Sequence, residues 1–199
     1  MTMIGTAAIG VVIVDGQPGS VAEFTSGEKD LIIAEVQEGI QNLLALAPAS
    51  ASLMFVPEVR IASLVDDPIG VKSENGWLDK AMIELGYTSL ADYIFDLKNN
   101  NGADWAYIAF FTKYMTSRFA FARSRDRFCI IRYPERGSDP RVPYKDHGGF
   151  RETDMDCLFA HETGHICGAK DENSADVDCL MSTCNPSIVC SDTRSEIGW

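Results

Sequence analysis

The sequence predicts one domain of the α/β (α+β) class, built around a twisted five-stranded sheet. The chain has 199 residues, of which 46% are hydrophobic, so it is long enough for one sizeable core. Short apolar or β-branched runs alternate with helical patterns along its first two thirds. One of these runs, residues 104–115, is almost continuously apolar, which is typical of a central strand. No repeat or linker interrupts the pattern, so we expect a single domain over residues 1–199.

The first three elements are predicted to be a strand, a helix and a strand. Residues 6–14 are rich in β-branched side chains and end at an Asp-Gly turn, which favours a strand. Thr25 and Glu28 have the spacing of a capping box, and apolar residues then recur on one helical face until Pro48 ends the helix. Residues 53–64 are predicted to form the second strand.

The next elements are two short helices and three strands. The first helix covers residues 77–85 and closes at Gly86, and the second begins after Thr88 or Ser89. The three strands then follow at residues 104–115, 118–124 and 128–133. A last, terminal helix is predicted to be capped by Asp192 or Thr193, with Glu196 completing a capping box.

Two of the three histidines lie four residues apart, with a glutamate directly after the first. On an α-helix this spacing turns about 40°, so His161 and His165 project from one face and can hold one tetrahedral zinc ion. Glu162 points about a quarter-turn away, too far round to be a ligand but close to a water beside the metal. We therefore predict two ligands and a general base on one helix, with Thr153 or Asp154 as its N-cap.

The residues after this helix predict a third ligand. Gly168 can adopt the left-handed conformation that ends a helix, and Asp171, three residues later, then turns back toward the metal. No histidine follows His165, so an acid must complete the site. Other acids crowd the same segment, and Asp176 is the main rival to Asp171.

This pattern resembles the signature of the metzincin zinc peptidases. That signature is a histidine–glutamate helix, a glycine turn, a third ligand six residues after the second histidine, and a methionine turn beneath the zinc. The matching residues are His161, Glu162, His165, Gly168 and Met181. Asp171 departs from the usual third histidine and is similar to the aspartate of snapalysin-like members. The resemblance implies a zinc-dependent endopeptidase in which Glu162 takes a proton from water as it attacks a peptide carbonyl.

The element order looks like that of adamalysin-like metzincins, which implies a zincin fold. In such a fold the sheet is mixed and mostly parallel, with an antiparallel edge strand, a backing helix and an active-site helix. The resemblance divides the chain into an upper subdomain, residues 1–168, and a small irregular lower subdomain with the Met-turn, residues 169–199. It also implies a protein or peptide substrate, bound in extended form along the edge strand at residues 118–125.

Three alternatives remain open at the sequence level. A protein of peptidase fold can hold zinc without catalysis and act as a binding module, although Glu162 argues against that. An aspzincin-type peptidase would use Asp176 as its third ligand. A different zinc-hydrolase clan would use a distant glutamate, for which Glu196 is the candidate.

Charge and hydropathy exclude some partners. A net charge of −12 argues against nucleic-acid binding, and no stretch is long enough to span a membrane. We expect a monomer. Residues 113–151 contain ten basic and four acidic residues, and this basic window favours either a solvated edge or acidic substrate segments.

Six cysteines in this context favour disulfides and an oxidising compartment, so we expect a secreted, extracellular protein. The pairs suggested by position are Cys184 with Cys190 and Cys157 with Cys179, and buried thiols are the alternative. Residues 1–14 are apolar but have no basic n-region, so no signal peptide is predicted within the chain.

Two further sites are weaker hypotheses. The acids between 171 and 178 offer hard oxygen ligands for calcium, although solvated acids are the simpler interpretation. Tyr144 and His147 lie in a loop before the zinc helix, from which they can reach the cleft. No role is predicted for either.

Overall fold

The computed structural model describes residues 1–65, 74–114, 116, 118–133, 154–171, 179–183 and 188–199. The strands of its sheet are β1 (Thr6–Asp15), β2 (Met54–Ser63), β3 (Trp105–Thr112), β4 (Ala120–Arg123) and β5 (Phe128–Arg132). They are ordered β2-β1-β3-β5-β4. Every neighbouring pair is parallel except β4 and β5, which are antiparallel. The predicted mixed, mostly parallel sheet with an antiparallel edge strand is confirmed.

The helices cover both faces of this sheet. They are α1 (Ser26–Leu46), α2 (Leu78–Glu84), α3 (Leu90–Asn100), α4 (Met155–Ile166), α5 (Leu180–Thr183) and α6 (Ser191–Ile197). Short 3-10 turns occur at Ala49–Ala51 and Glu74–Gly76. One core cluster joins one face of the sheet to α1 and α4, and a second joins the other face to α2 and α3.

The central strands are apolar because both of their faces are covered. All eight residues of β3 are buried. Tyr107 and Phe111 point to the side of α1 and α4, whereas Ile108 and Phe110 point to the side of α2 and α3. This alternation explains why the strand reads as one continuous apolar run in the sequence.

The long helix α1 is the backing helix for α4. Its predicted capping box is present, since the Thr25 side chain accepts from the Glu28 amide and the Glu28 carboxylate accepts from the Thr25 amide. Gly39 lies in its contact with α4, where an added Cβ would come within 2.6 Å of the Asp156 carbonyl oxygen. The absence of a side chain at Gly39 therefore allows the two helices to approach closely.

The predicted helix caps at Asp154 and at Asp192 or Thr193 are wrong, whereas Thr153, the other candidate for α4, lies outside the described residues. Asp154 precedes α4 but makes no side-chain capping hydrogen bond, and Glu35 of α1 instead accepts from the Asp156 amide at 3.2 Å. Helix α6 begins at Ser191, one residue before the predicted cap at Asp192. The residue that caps α4 thus belongs to α1, and no local sequence pattern near α4 indicates it.

The suggested cysteine pairs are also wrong. Cys157 is disulfide-bonded, but Cys179 and Cys190 are both thiols, so neither suggested pair forms. Their two Sγ atoms lie 2.8 Å apart. Cys129 and Cys167 are buried thiols, and Cys184 lies outside the described residues.

The core beneath α4 includes apolar side chains from both sides of residue 168. Those from the C-terminal side include Leu180, Met181, Val189 and Ile197. Within the residues that the structure describes, no helix is both long and apolar enough to cross a membrane.

Candidate metal centre

Helix α4 is held firmly against the sheet. Every residue of the helix is buried except His161 and His165. The Thr163 hydroxyl donates to the Phe159 carbonyl and lies 2.7 Å from the hydroxyl of Tyr107 on β3, which therefore donates to it. The two histidines are thus the residues of this helix that remain partly exposed.

Both imidazoles are oriented by backbone carbonyl groups. His161 Nδ1 lies 2.9 Å from the Leu180 carbonyl oxygen, and His165 Nδ1 lies 2.8 Å from that of Ala169. Because a carbonyl can only accept, each Nδ1 carries the proton when the ring is neutral, and each Nε2 is left with a lone pair. The two Nε2 atoms face each other at 3.1 Å.

Asp171 completes a triangle of ligand atoms. Its Oδ1 lies 3.3 Å from His161 Nε2 and 3.1 Å from His165 Nε2. A tetrahedral zinc with bonds of about 2.0–2.1 Å separates its ligands by roughly 3.3–3.4 Å. The three atoms therefore have approximately the spacing of one face of a zinc tetrahedron, and among the described residues they form a group that could hold a metal ion.

The turn after α4 positions this third ligand. Gly168 has φ +105°, the left-handed conformation that its sequence position predicts. The Gly168 amide donates to the His165 carbonyl and the Ala169 amide to that of Gly164, which is the hydrogen-bond pattern of a Schellman motif. The same turn aims the Ala169 carbonyl at the ring of His165 and brings Asp171 back to the helix.

Glu162 is buried beside this triangle. Its exposed fraction is 3%, and its Oε2 has no hydrogen-bond partner among the residues that the structure describes. Burial raises the pKa of Glu162 to about 8, with a further increase from the charge of Asp171 and an opposing effect from Arg118. A buried carboxylate oxygen without a partner fits a group that acts on a ligand in the cleft.

Met181 packs directly beneath the site helix. It is 1% exposed, and its sulfur would lie 2.7 Å from a Cβ added at Gly164, which stands between the two histidines. The preceding residue, Leu180, provides the carbonyl that orients His161. The segment that contains Met181 thus contacts both the helix and one of the two rings.

The site opens into a cavity of about 440 Å³ between α4 and the edge strand β4. Its lining residues are Arg118, Ala120, Phe121, Ala122 and Ser124 on the β4 side, and His161, Glu162, His165, Gly168, Ala169, Lys170 and Asp171 on the other. The edge strand thus runs beside the cleft, in the place predicted for residues 118–125.

The other candidates named from the sequence either lie outside the described residues or do not line the cavity. Tyr144, His147 and Asp176 lie outside the described residues. Glu196 binds the Lys170 amide and pairs with its ammonium group, and it does not line the cavity. Calcium gains no support, because the one described acid of the segment 171–178 is grouped with two imidazoles rather than with other oxygen ligands.

Sequence reasoning did not identify the carbonyls of Leu180 and Ala169 or the cap from Glu35. Backbone carbonyl groups exist at every position, so no residue type marks the two that orient the histidines. Glu35 acts across the contact between two helices, and its distance of 121 positions from Asp156 leaves no local pattern.

No family model matches the chain, and no curated protein matches its sequence. Among solved structures, the chain is similar to a zinc-dependent peptidase from Methanocorpusculum labreanum, with a TM-score of 0.48 and 14% identity over 94% of this chain and 99% of that one. It is also similar to an archaemetzincin from Methanopyrus kandleri, with a TM-score of 0.44 and 15% identity over 96% of this chain and 84% of that one.

Proposed function

We propose that the protein is a zinc-dependent endopeptidase that hydrolyses peptide bonds of protein substrates. The observation that carries this proposal is the triangle of His161 Nε2, His165 Nε2 and Asp171 Oδ1, spaced at 3.1–3.3 Å beside a buried glutamate. Three protein ligands leave a fourth position open, which is the arrangement of catalytic zinc sites. Asp171 rather than Asp176 is therefore the proposed third ligand.

Two backbone carbonyl groups orient the histidines that are proposed as ligands. The Leu180 and Ala169 carbonyls hold both rings in the tautomer that exposes Nε2, so binding needs little reorientation of either ring. Zinc at this position supplies a Lewis acid that lowers the pKa of a bound water and polarises a carbonyl. Met181, packed under Gly164, is proposed to support the floor of the site as a Met-turn.

Glu162 is the proposed general base. Its carboxylate lies within the cleft wall, where burial and the charge of Asp171 raise its pKa. A cation held by His161, His165 and Asp171 would stabilise the ionised form of Glu162, because a nearby opposite charge favours ionisation. It then accepts a proton from the attacking water and delivers it to the leaving amine.

The substrate is proposed to bind in extended form beside β4. Among the described residues this strand pairs with β5 alone, and its small residues Ala120 and Ala122 line the cavity. A peptide can add to such an edge by backbone hydrogen bonds, which present its scissile bond to α4. We propose a monomeric enzyme that acts on proteins in an oxidising, extracellular compartment, without nucleic-acid or membrane partners.

Metal analysis and a cleavage assay test this function. The purified chain should contain one zinc per molecule and cleave an unfolded protein substrate, and a chelator should abolish cleavage reversibly. Glu162→Gln should keep the zinc and lower the rate by roughly 10²- to 10⁴-fold, because only the proton transfer is lost. Glu84→Gln, on the exposed surface of α2, is the matched control and should leave the rate unchanged.

The outcomes separate the alternatives. Stoichiometric zinc without any cleavage would favour a non-catalytic binding module that retains the peptidase fold. Undiminished cleavage by Glu162→Gln would contradict the role of Glu162, and absence of zinc would remove the metal centre altogether.

A further inference from the structure

We propose that Arg118 binds a carboxylate of the substrate, so that the enzyme prefers peptides with an acidic group near the scissile bond. This inference rests on the proposed peptidase function and names a specificity determinant for it. Arg118 lies two residues before β4 and lines the same cavity as His161, Glu162 and Asp171. Its side chain is exposed, and its charge acts on the buried Glu162.

The charges around the cavity favour an anionic ligand. With neutral histidines, the two charges of a zinc ion are balanced by the carboxylates of Glu162 and Asp171. Lys170 also lines the cavity, but its ammonium group pairs with Glu196 at 3.2 Å. Among the described residues that line the cavity, Arg118 therefore has the positive charge that no neighbouring carboxylate balances.

A comparison with Arg123, at the other end of β4, shows that Arg118 is not needed for packing. Arg123 forms a 2.5 Å ion pair with the buried Glu74 and stacks near the rings of Phe121 and Phe128. Arg118 has no ion pair or ring contact of this kind among the described residues, and its backbone carbonyl accepts a hydrogen bond from the Thr116 hydroxyl. Its backbone is thus anchored, while its guanidinium group remains available to a ligand.

The guanidinium group of Arg118 is well suited to bind a carboxylate of the substrate. Its planar fork can donate two parallel hydrogen bonds to the two oxygens, and each is strengthened by charge. The carboxylate has two possible sources, an aspartate or glutamate side chain within the peptide and the free carboxyl group at its C-terminus. Either carboxylate would form the same hydrogen bonds with Arg118, and peptides that differ in only one of the two groups distinguish them.

The test compares peptides that differ by one charge. Glutamate is placed in turn at each position flanking the cleaved bond and compared with glutamine, and each peptide is made with a free and an amidated C-terminus. We expect the preferred acidic peptide to have a roughly tenfold higher kcat/KM, because a charge-assisted hydrogen bond in a partly solvated site contributes modestly. The difference should appear mainly in KM, since Arg118 binds the substrate away from the reacting atoms.

Arg118→Ala should abolish the preference, and Arg118→Glu should reverse it in favour of peptides with lysine at the same position. Arg60→Ala is the matched control, because Arg60 lies on β2 at the opposite edge of the sheet, where it pairs with the half-buried Glu58 and does not line the cavity. It should leave the preference intact.

Binding gives a readout that does not depend on turnover. In zinc-loaded Glu162→Gln protein, fluorescence anisotropy with labelled peptides should show tighter binding of the acidic peptide, and adding Arg118→Ala should remove the difference. Cleavage and binding without any dependence on peptide charge, or a preference that survives Arg118→Ala, would overturn this inference alone. Failure of the wild-type protein to cleave any of the peptides would overturn the proposed function and this inference together.

Discussion

The metal centre is assembled from two regions that differ in how they are held. Helix α4 packs against both the sheet and α1, and all of its residues except the two histidines are buried. The segment after Gly168 supplies Asp171, whose side chain is 66% exposed, and the Leu180 carbonyl that orients His161. Packing thus determines the position of the helix, whereas a turn and a few hydrogen bonds determine that of the segment.

This difference suggests that helix α4 and the segment after Gly168 contribute unequally to metal affinity. A rigid helix holds His161 and His165 at the spacing that zinc needs, because moving either ring would require moving the whole helix. We expect Asp171 to adjust its position more easily, because among the described residues the turn at Gly168 and the contacts of Lys170 with Glu196 restrain this segment, rather than burial of the side chain. The helix should therefore contribute more to metal affinity than the segment does.

Removing one ligand from each region tests this expectation most directly. His165→Ala should weaken zinc binding by roughly 10²- to 10³-fold, a quarter share of the free energy of a four-ligand zinc site. Asp171→Ala should weaken it by roughly 10- to 100-fold, because water can replace an exposed oxygen ligand. Competition with a chromogenic chelator measures both affinities. An equal loss of affinity in the two variants, or a larger loss in Asp171→Ala, would contradict this expectation.

The cysteine pair offers a way to stiffen the C-terminal segment. Cys179 and Cys190 have Sγ atoms 2.8 Å apart, so an added low-molecular-weight disulfide should oxidise them to a disulfide and be reduced to two thiols. Closing a loop of about 12 residues should raise the free energy of unfolding by about 3 kcal/mol. Mass spectrometry of the linked peptides and urea denaturation measure the two effects.

Cys190→Ser is the control for this prediction, because Cys190 is the more exposed member of the pair. The variant should show no gain in stability on mild oxidation. A gain of the same size in Cys190→Ser would mean that another pair of thiols is responsible.

Adding a methyl group at the contact between α1 and α4 tests how closely helix α4 is packed. In Gly39→Ala the new Cβ would come within 2.6 Å of the Asp156 carbonyl oxygen, so the helices must separate. We expect the free energy of unfolding to fall by about 1–2 kcal/mol, because overpacking costs about 1–3 kcal/mol and helix propensity returns up to about 1.

Gly27→Ala makes the same change in the same helix, where no atom lies within 4 Å of the new Cβ. It should be neutral or slightly stabilising in urea denaturation. Equal effects of the two substitutions would show that the contact at Gly39 does not limit the approach of the helices.

The smallest expected effect concerns the buried carboxylate that caps α4. Burial raises the pKa of Glu35, and the nearby charges of Asp156 and Glu38 raise it further, against the hydrogen bond from the Asp156 amide. The folded protein therefore binds the proton of the Glu35 carboxyl group more tightly than the unfolded chain does. The free energy of unfolding should thus fall as the pH rises from the ordinary pKa of a glutamate through the raised pKa of Glu35.

Glu35→Gln keeps an oxygen acceptor for the cap but removes the charge. We expect its melting temperature to match that of the wild type at acidic pH, where Glu35 is protonated, and to exceed it at neutral pH. Thermal unfolding across this range measures the difference, and Glu84→Gln serves as an exposed control. A variant that is less stable at neutral pH would show that the charge contributes more through the helix dipole than its burial costs.

Local patterns were sufficient to predict the strands and most helix ends. The first strand was expected at residues 6–14 and runs over Thr6–Asp15, and the capping box at Thr25 is present. The spacing of His161 and His165 was sufficient to place both on one face, because helical geometry alone determines it. The left-handed turn at Gly168 follows from its lack of a Cβ and also appears as predicted.

The errors at the cap of α4 and at the cysteines share one physical cause, which is contact between residues that are not close in the chain. The cap of α4 comes from Glu35, and the sulfur of Cys179 meets Cys190 rather than Cys157. Both depend on how helices and loops pack after the elements have formed. Local spacing contains no information about such contacts.

The sequence by itself determined which atoms are available for the metal centre: two imidazoles on one helical face, a glutamate next to the first, and an acid after a glycine turn. Only the tertiary structure decided their orientation. The carbonyls of Leu180 and Ala169 select the tautomer of each ring, and burial of Glu162 leaves one of its oxygens without a hydrogen-bond partner among the described residues. The reason is that residue types and spacing follow from covalent connectivity, whereas hydrogen-bond partners and solvent exposure depend on the packing of the whole domain.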